Sequence, residues 1–103
     1  MPILITQQNP LSITLQVDHL NLRFEVEWYQ EDIARLTESI LSLLSSVIIQ
    51  EKITGADREN IRFSWQGYYL ILNFDYYSQS CWFEGQDNEK AECLAKLYSE
   101  LIK

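Results

Sequence analysis

From Leu11 to Trp28 apolar and polar residues alternate almost without interruption, in two runs of opposite numerical phase. In "LSITLQV" the apolar positions are Leu11, Ile13, Leu15 and Val17; in "LNLRFEVEW" they are Leu20, Leu22, Phe24, Val26 and Trp28. Strict alternation places one set of side chains on one face of a strand. A two-residue loop at Asp18-His19 reconciles the phases as a hairpin. It sets Val17 opposite Leu20, Leu15 opposite Leu22 and Ile13 opposite Phe24, with Thr14 facing Arg23 on the polar side. A slip of one residue would turn a whole apolar set to water, so the face each side chain takes is well specified.

At Tyr29 the period changes. Ile33, Leu36, Ile40, Leu43, Leu44 and Val47 recur at spacings of three and four, which predicts an amphipathic helix over "YQEDIARLTESILSLLSSV". Glu31 and Asp32 stand near its positive end. "VIIQEKI" reads as a short strand and "TGADREN" as a loop of turn formers. "IRFSW" and "YYLILNF" then flank Gln66-Gly67, where glycine supplies the positive φ of a tight hairpin. That turn pairs Trp65 with Tyr68, Phe63 with Leu70 and Ile61 with Leu72. A further turn at Ser78-Gln79 returns "SCWFE" along the same strand, with Tyr76 facing Cys81, Phe74 facing Phe83 and Asp75 across from Trp82. The tail "DNEKAECLAKLYSELIK" carries Ala91, Leu94, Leu97, Tyr98 and Leu101 on one stripe and predicts a second helix, capped by Asp87 or Asn88. The expectation is a single α+β domain over 1–103: a largely antiparallel sheet of five to seven strands with two amphipathic helices packed on one face. Its core is expected at Phe24, Leu36, Ile40, Leu70, Leu72, Phe74 and Leu97.

Composition changes this picture little. A chain of 103 residues, 47% hydrophobic and 22% charged, is long enough to bury one core without disulfides. Fifteen acids against eight bases give a net charge of −7, which repels phosphate backbones, and the bases are scattered rather than patched. Nucleic-acid binding is therefore not expected. "MPILITQQNP" lacks the basic start of a signal peptide, and no run approaches the ~18 apolar residues of a membrane span. With two cysteines and no disulfide framework, the chain reads as cytoplasmic, its thiols reduced, with no membrane association.

Candidate chemistry is sparse. Cys81 falls in a predicted strand, Cys93 inside a predicted helix and His19 in a turn, so the thiols read as small core hydrophobes rather than nucleophiles or metal ligands. The three glycines form no phosphate-cradling motif. No cofactor is expected. Glu25 and Glu27 share a strand face with Ser12, Thr14 and Arg23 and read as a solvated surface. One asymmetry remains. The predicted outward face of the second hairpin unit carries Tyr69, Ile71, Tyr77 and Trp82 beside Asp75, a mixture typical of interface hot spots. The plainer reading is strand formers on a half-covered face.

The run "YYSQSCWFEG" followed by a closing helix resembles a family of small uncharacterised proteobacterial proteins of unknown function. The likeness lies in Tyr77, Ser78, Ser80, Trp82 and Glu84, within the C-terminal third. It implies a bacterial cytoplasmic protein and supplies no functional residues. Three functions follow as expectations. The first is a non-enzymatic module that binds a protein partner, or itself as a homo-oligomer, through Tyr69, Ile71, Asp75, Tyr77 and Trp82. The second is an acidic inhibitor or immunity-type protein that meets a basic partner through Glu25, Glu27, Glu31 and Asp32. The third is a small enzyme of unidentified reaction.

Overall fold

The structure, a computed structural model, describes residues 12–86 and 91–102. Six strands form one sheet: β1 (Ser12–Leu15), β2 (Leu20–Arg23), β3 (Ile48–Thr54), β4 (Arg58–Trp65), β5 (Tyr68–Asp75) and β6 (Ser80–Gly85). Two helices complete the fold, α1 (Ile33–Leu41), entered through a 3-10 turn at Gln30–Asp32, and α2 (Ala91–Leu101). The spatial order is β1-β2-β6-β5-β4-β3, and every neighbouring pair is antiparallel. The fold is α+β on an antiparallel sheet. Leu11, the Asp87 or Asn88 cap and the Ala91 side chain lie outside the described residues.

Alternation is realised in burial. Leu20, Leu22, Ile61, Phe63, Trp65, Leu70, Leu72, Phe74, Cys81 and Phe83 are buried, and form one cluster with Ile33, Leu36, Ile40, Leu41 and Leu44 and with Cys93, Leu94, Leu97 and Leu101. α2 lies against β1 and β6. Phe24, expected in the core, is only partly buried and packs against its margin. Phe63 and Phe83 meet edge to face at 5.8 Å, an arrangement that adds to the area they bury.

The Gln66-Gly67 hairpin has the expected register, Trp65 with Tyr68, Phe63 with Leu70 and Ile61 with Leu72. Gln66 at φ 53° and Gly67 at φ 83° both occupy the left-handed region that such a two-residue turn demands. The β1–β2 and β5–β6 hairpins differ from expectation, each in the same way. In the first, Gln16 N–H donates to the His19 carbonyl at 2.8 Å, so the tip is Val17-Asp18 and not Asp18-His19. Leu15 then faces Leu20 and Ile13 faces Leu22. In the last, Gln79 N–H closes a turn on the Tyr76 carbonyl at 3.1 Å, Phe74 faces Cys81 and Asp75 faces Ser80. Moving a tip by one residue moves the register by two, which returns every side chain to the same face. Hydrophobic alternation therefore cannot distinguish the two registers; turn chemistry does. Asp75 accepts the Ser78 N–H at 3.4 Å, and Gln79 takes a positive φ of 55° at the turn's end.

Two elements end sooner than their patterns predict. β2 stops at Arg23, because continuing its pairing with β6 brings Arg23 beside Ser80, and the next residue of that neighbour is the turn residue Gln79. Val26, left without a ladder, is exposed, while Trp28 turns into the core with its ring 5.5 Å from Phe74. α1 stops at Leu41 though the apolar spacing runs to Val47. Ser42 Oγ donates to the Ser39 carbonyl at 2.7 Å, and Leu43 and Leu44 make tighter three-residue bonds to Ile40 and Leu41. Serine competing for backbone carbonyls is a weak helix interior. Ser46, at φ 57°, then directs the chain into β3.

Candidate functional site

The alternate residues of the same strands point to the other side of the sheet, the outer face. One rung crosses five strands there, Asn21 beside Trp82, Trp82 beside Asn73, Asn73 beside Asn60 and Asn60 beside Ile53. The adjacent rung runs Glu84, Ile71, Arg62, Glu51, and the next places Tyr69 beside Ser64 and Ser64 beside Ile48. Tyr69 is 48% exposed, Ile48 66% and Ile53 44%, while Ile71 and Trp82 are half-buried. Ile48 and Ile53 belong to β3, a seven-residue edge strand, every residue of which is exposed and which a bulge at Ile49/Glu51 interrupts. A bulge and the Glu51-Lys52 pair are the devices that blunt an edge against uncontrolled strand pairing.

Polar side chains tie this face together. Asn73 is only 3% exposed although it points outward; it accepts from Asn60 Nδ2 and donates to the Trp82 carbonyl at 3.4 Å. Arg62 donates to Gln86 Oε1 at 3.1 Å and lies 3.8 Å from Glu51. Asp75 stands opposite Ser80 rather than Trp82, and its carboxylate lies 3.2 Å from Arg58 Nε. Of the residues expected to bind a partner, Tyr69, Ile71, Asp75 and Trp82 share this face. Tyr77, 81% exposed, sits instead in the Tyr76–Gln79 turn with its ring 5.9 Å from Tyr76. Tyr76 in turn packs against Tyr29 and Trp28. Gln79 holds that corner closed: its side chain accepts the Trp28 N–H at 3.0 Å and donates to the Trp28 carbonyl at 2.8 Å. Nothing local in the sequence announces this clamp, whose partners are 51 positions apart.

Where β2 meets β6, the outer face dips into an open hollow of about 270 Å³ lined by Asp18, His19, Asn21, Ser80, Trp82 and Glu84. His19 Nδ1 lies 2.8 Å from Asp18 Oδ1, and Trp82 Nε1–H donates to Glu84 Oε1 at 3.4 Å. The His19 hydrogen bond holds the Asp18 carboxyl below its ordinary range. Sequence reading missed the hollow because it joins residues from two hairpins whose adjacency no local pattern records.

Cys81 and Cys93 are buried thiols, and burial pushes the Cys81 thiol well above its ordinary value, away from the reactive thiolate. Among the described residues no group of three or more His, Cys, Asp or Glu is placed to hold a metal ion. Among them, too, no helix is long and apolar enough to cross a membrane. Glu25, Glu27 and Glu31 are exposed, whereas Asp32 accepts the Tyr29 N–H at 2.9 Å and caps the turn before α1.

Sheet, helices and outer face define a small α+β protein whose distinguishing surface is a mixed aromatic and polar sheet face. The chain belongs to the DUF3630 family of proteins of unknown function, whose profile matches residues 11–101. The match supports an uncharacterised family, and it spans residues 11–101 rather than the C-terminal third alone. No curated protein and no solved structure matches the chain.

Proposed function

We propose that this protein is a non-enzymatic binding module of the cytoplasm, which engages a protein partner or a second copy of itself through the outer sheet face. In this reading both helices cover the opposite face and leave this one to a partner. The observation that carries it is the grouping of Tyr69, Ile71 and Trp82 with the exposed Ile48 and Ile53 on a single sheet surface. Burial of such side chains in a contact is worth ~1–3 kcal/mol each, far more than they gain in water. The acidic-inhibitor reading is weaker, because Asp32 is already spent as a cap. The test is the double variant Tyr69→Ser with Trp82→Ser, followed by circular dichroism and by sedimentation or pull-down on the same sample. The expected outcome is an unchanged spectrum with association weakened at least about tenfold, as loss of two hot-spot residues implies. Association that survives both substitutions rejects the outer face as the binding surface.

A further inference from the structure

The hollow beside Trp82 is furnished mainly with hydrogen-bond acceptors. Asp18 and Glu84 contribute two carboxylates, and an ionised carboxylate only accepts. Asp18 Oδ1 lies 2.8 Å from His19 Nδ1, a contact that holds the carboxylate at the rim of the hollow. Ser80 Oγ already accepts from Ser78 Oγ at 2.8 Å. Glu84 receives one long bond from the Trp82 indole, which uses one of the roughly four lone-pair sites of a carboxylate. The Trp82 ring supplies a π surface in the lining, next to Glu84, to which its indole N–H donates. Arg23 lies two residues along β2 from Asn21, on the Ser80 side of the hollow. Elsewhere on the sheet Arg58 is engaged with Asp75 and Arg62 with Gln86 and Glu51, and Lys52 lies on β3 at the far edge.

We propose that this hollow seats the cationic head of an arginine or lysine side chain presented by a protein partner, with Asp18 and Glu84 as its counter-charges and Trp82 as the platform beneath it. A cation over an indole face and charge-assisted bonds to carboxylates reinforce one another in such a geometry. The volume of about 270 Å³ falls just under the ~300–1,000 Å³ of clefts that enclose whole small molecules, so it suits a side-chain head better than a complete metabolite. The chain's net charge of −7 draws a basic partner toward the face as a whole. The proposal rests on the reading of the outer face as a protein-binding surface and specifies the partner's chemistry.

The test uses acetyl-glycyl-arginyl-glycine amide as probe and its citrulline counterpart, which has nearly the same shape without the charge. Trp28 and Trp65 are each 1% exposed, so the Trp82 indole N–H is the tryptophan resonance that should report the hollow in a nitrogen-15 NMR titration. Saturable shifts are expected at that indole and at the Asn21 and Glu84 amides, with the arginine probe at least about tenfold tighter than citrulline. Asp18→Asn and Glu84→Gln should each weaken the arginine probe about three- to tenfold with the rest of the spectrum intact, and so should a rise from about 0.05 to about 0.5 M salt. Equal binding of the two probes, shifts scattered away from the hollow, or tighter binding of the corresponding glutamate peptide overturns the proposal. If association through Tyr69 and Trp82 is confirmed but the arginine probe fails, only the cation site falls. If the probe titrates the hollow while association survives the double variant, the hollow binds a cationic head but does not seat the partner, and both the wider interface and the assignment of the occupant fall.

Discussion

Ile71 and Leu72 are adjacent residues of nearly the same size and hydrophobicity, yet Leu72 is wholly buried and Ile71 only half so. The same division runs along all of β5. Leu70, Leu72 and Phe74 enter the core, while Tyr69, Ile71 and Asp75 face outward. Side-chain chemistry does not decide the difference; the pleat does, since successive residues of a strand take opposite faces. Asn73 is the informative exception. It points outward and is nevertheless buried, because Asn60 and Trp82 close over it and satisfy its amide. One face thus buries apolar side chains, and the other carries paired polar groups beside part-exposed aromatic residues.

Three substitutions on this one strand, from largest effect to smallest, can break that contrast or sharpen it. Leu72→Ala leaves a cavity beside Ile61 and Phe83 in the core cluster and should cost ~2–5 kcal/mol in chemical denaturation, as large-to-small core changes do. A loss below ~1 kcal/mol would mean that the inner face is loosely packed and the contrast between faces is false. Asn73→Ala removes both of that residue's hydrogen bonds and should cost ~1–2 kcal/mol, less than a buried unpaired group at its worst because Asn60 is only half-buried. A neutral result would show that the outer rung is held by packing rather than by its amides. Tyr69→Thr keeps a strand former at a half-exposed site and should shift stability by less than ~0.5 kcal/mol. A larger loss in the same denaturation series would place Tyr69 in a second core and remove it from the binding surface.

The contrast between hairpins follows the same logic. At Gln66-Gly67 the tip was legible, because glycine there marks a turn that few other residues form. The tips of the β1–β2 and β5–β6 hairpins have no glycine, and alternation accepts either register equally well. The candidate surface was legible in part for the same reason. Tyr69, Ile71 and Trp82 could be assigned to one face by parity alone, whereas Tyr77 followed its turn into a different cluster with Tyr76, Tyr29 and Trp28.

By itself the sequence determined the period of each segment and hence the α+β class, the two helices, the hairpin at Gln66-Gly67 and the face taken by residues of β1, β2, β4, β5 and β6, though not of the bulged β3. These are local properties, written within a few residues of one another. The tertiary structure alone decided the strand order, which sets β2 against β6 and brings Asn21 beside Trp82. It also decided where β2 runs out of partners, which residues Gln79 clamps, and that Asp18, His19 and Glu84 share one hollow. Such features depend on backbone ladders between distant segments, and ladder bonds join peptide groups that every residue carries, so the side-chain sequence holds no local record of them.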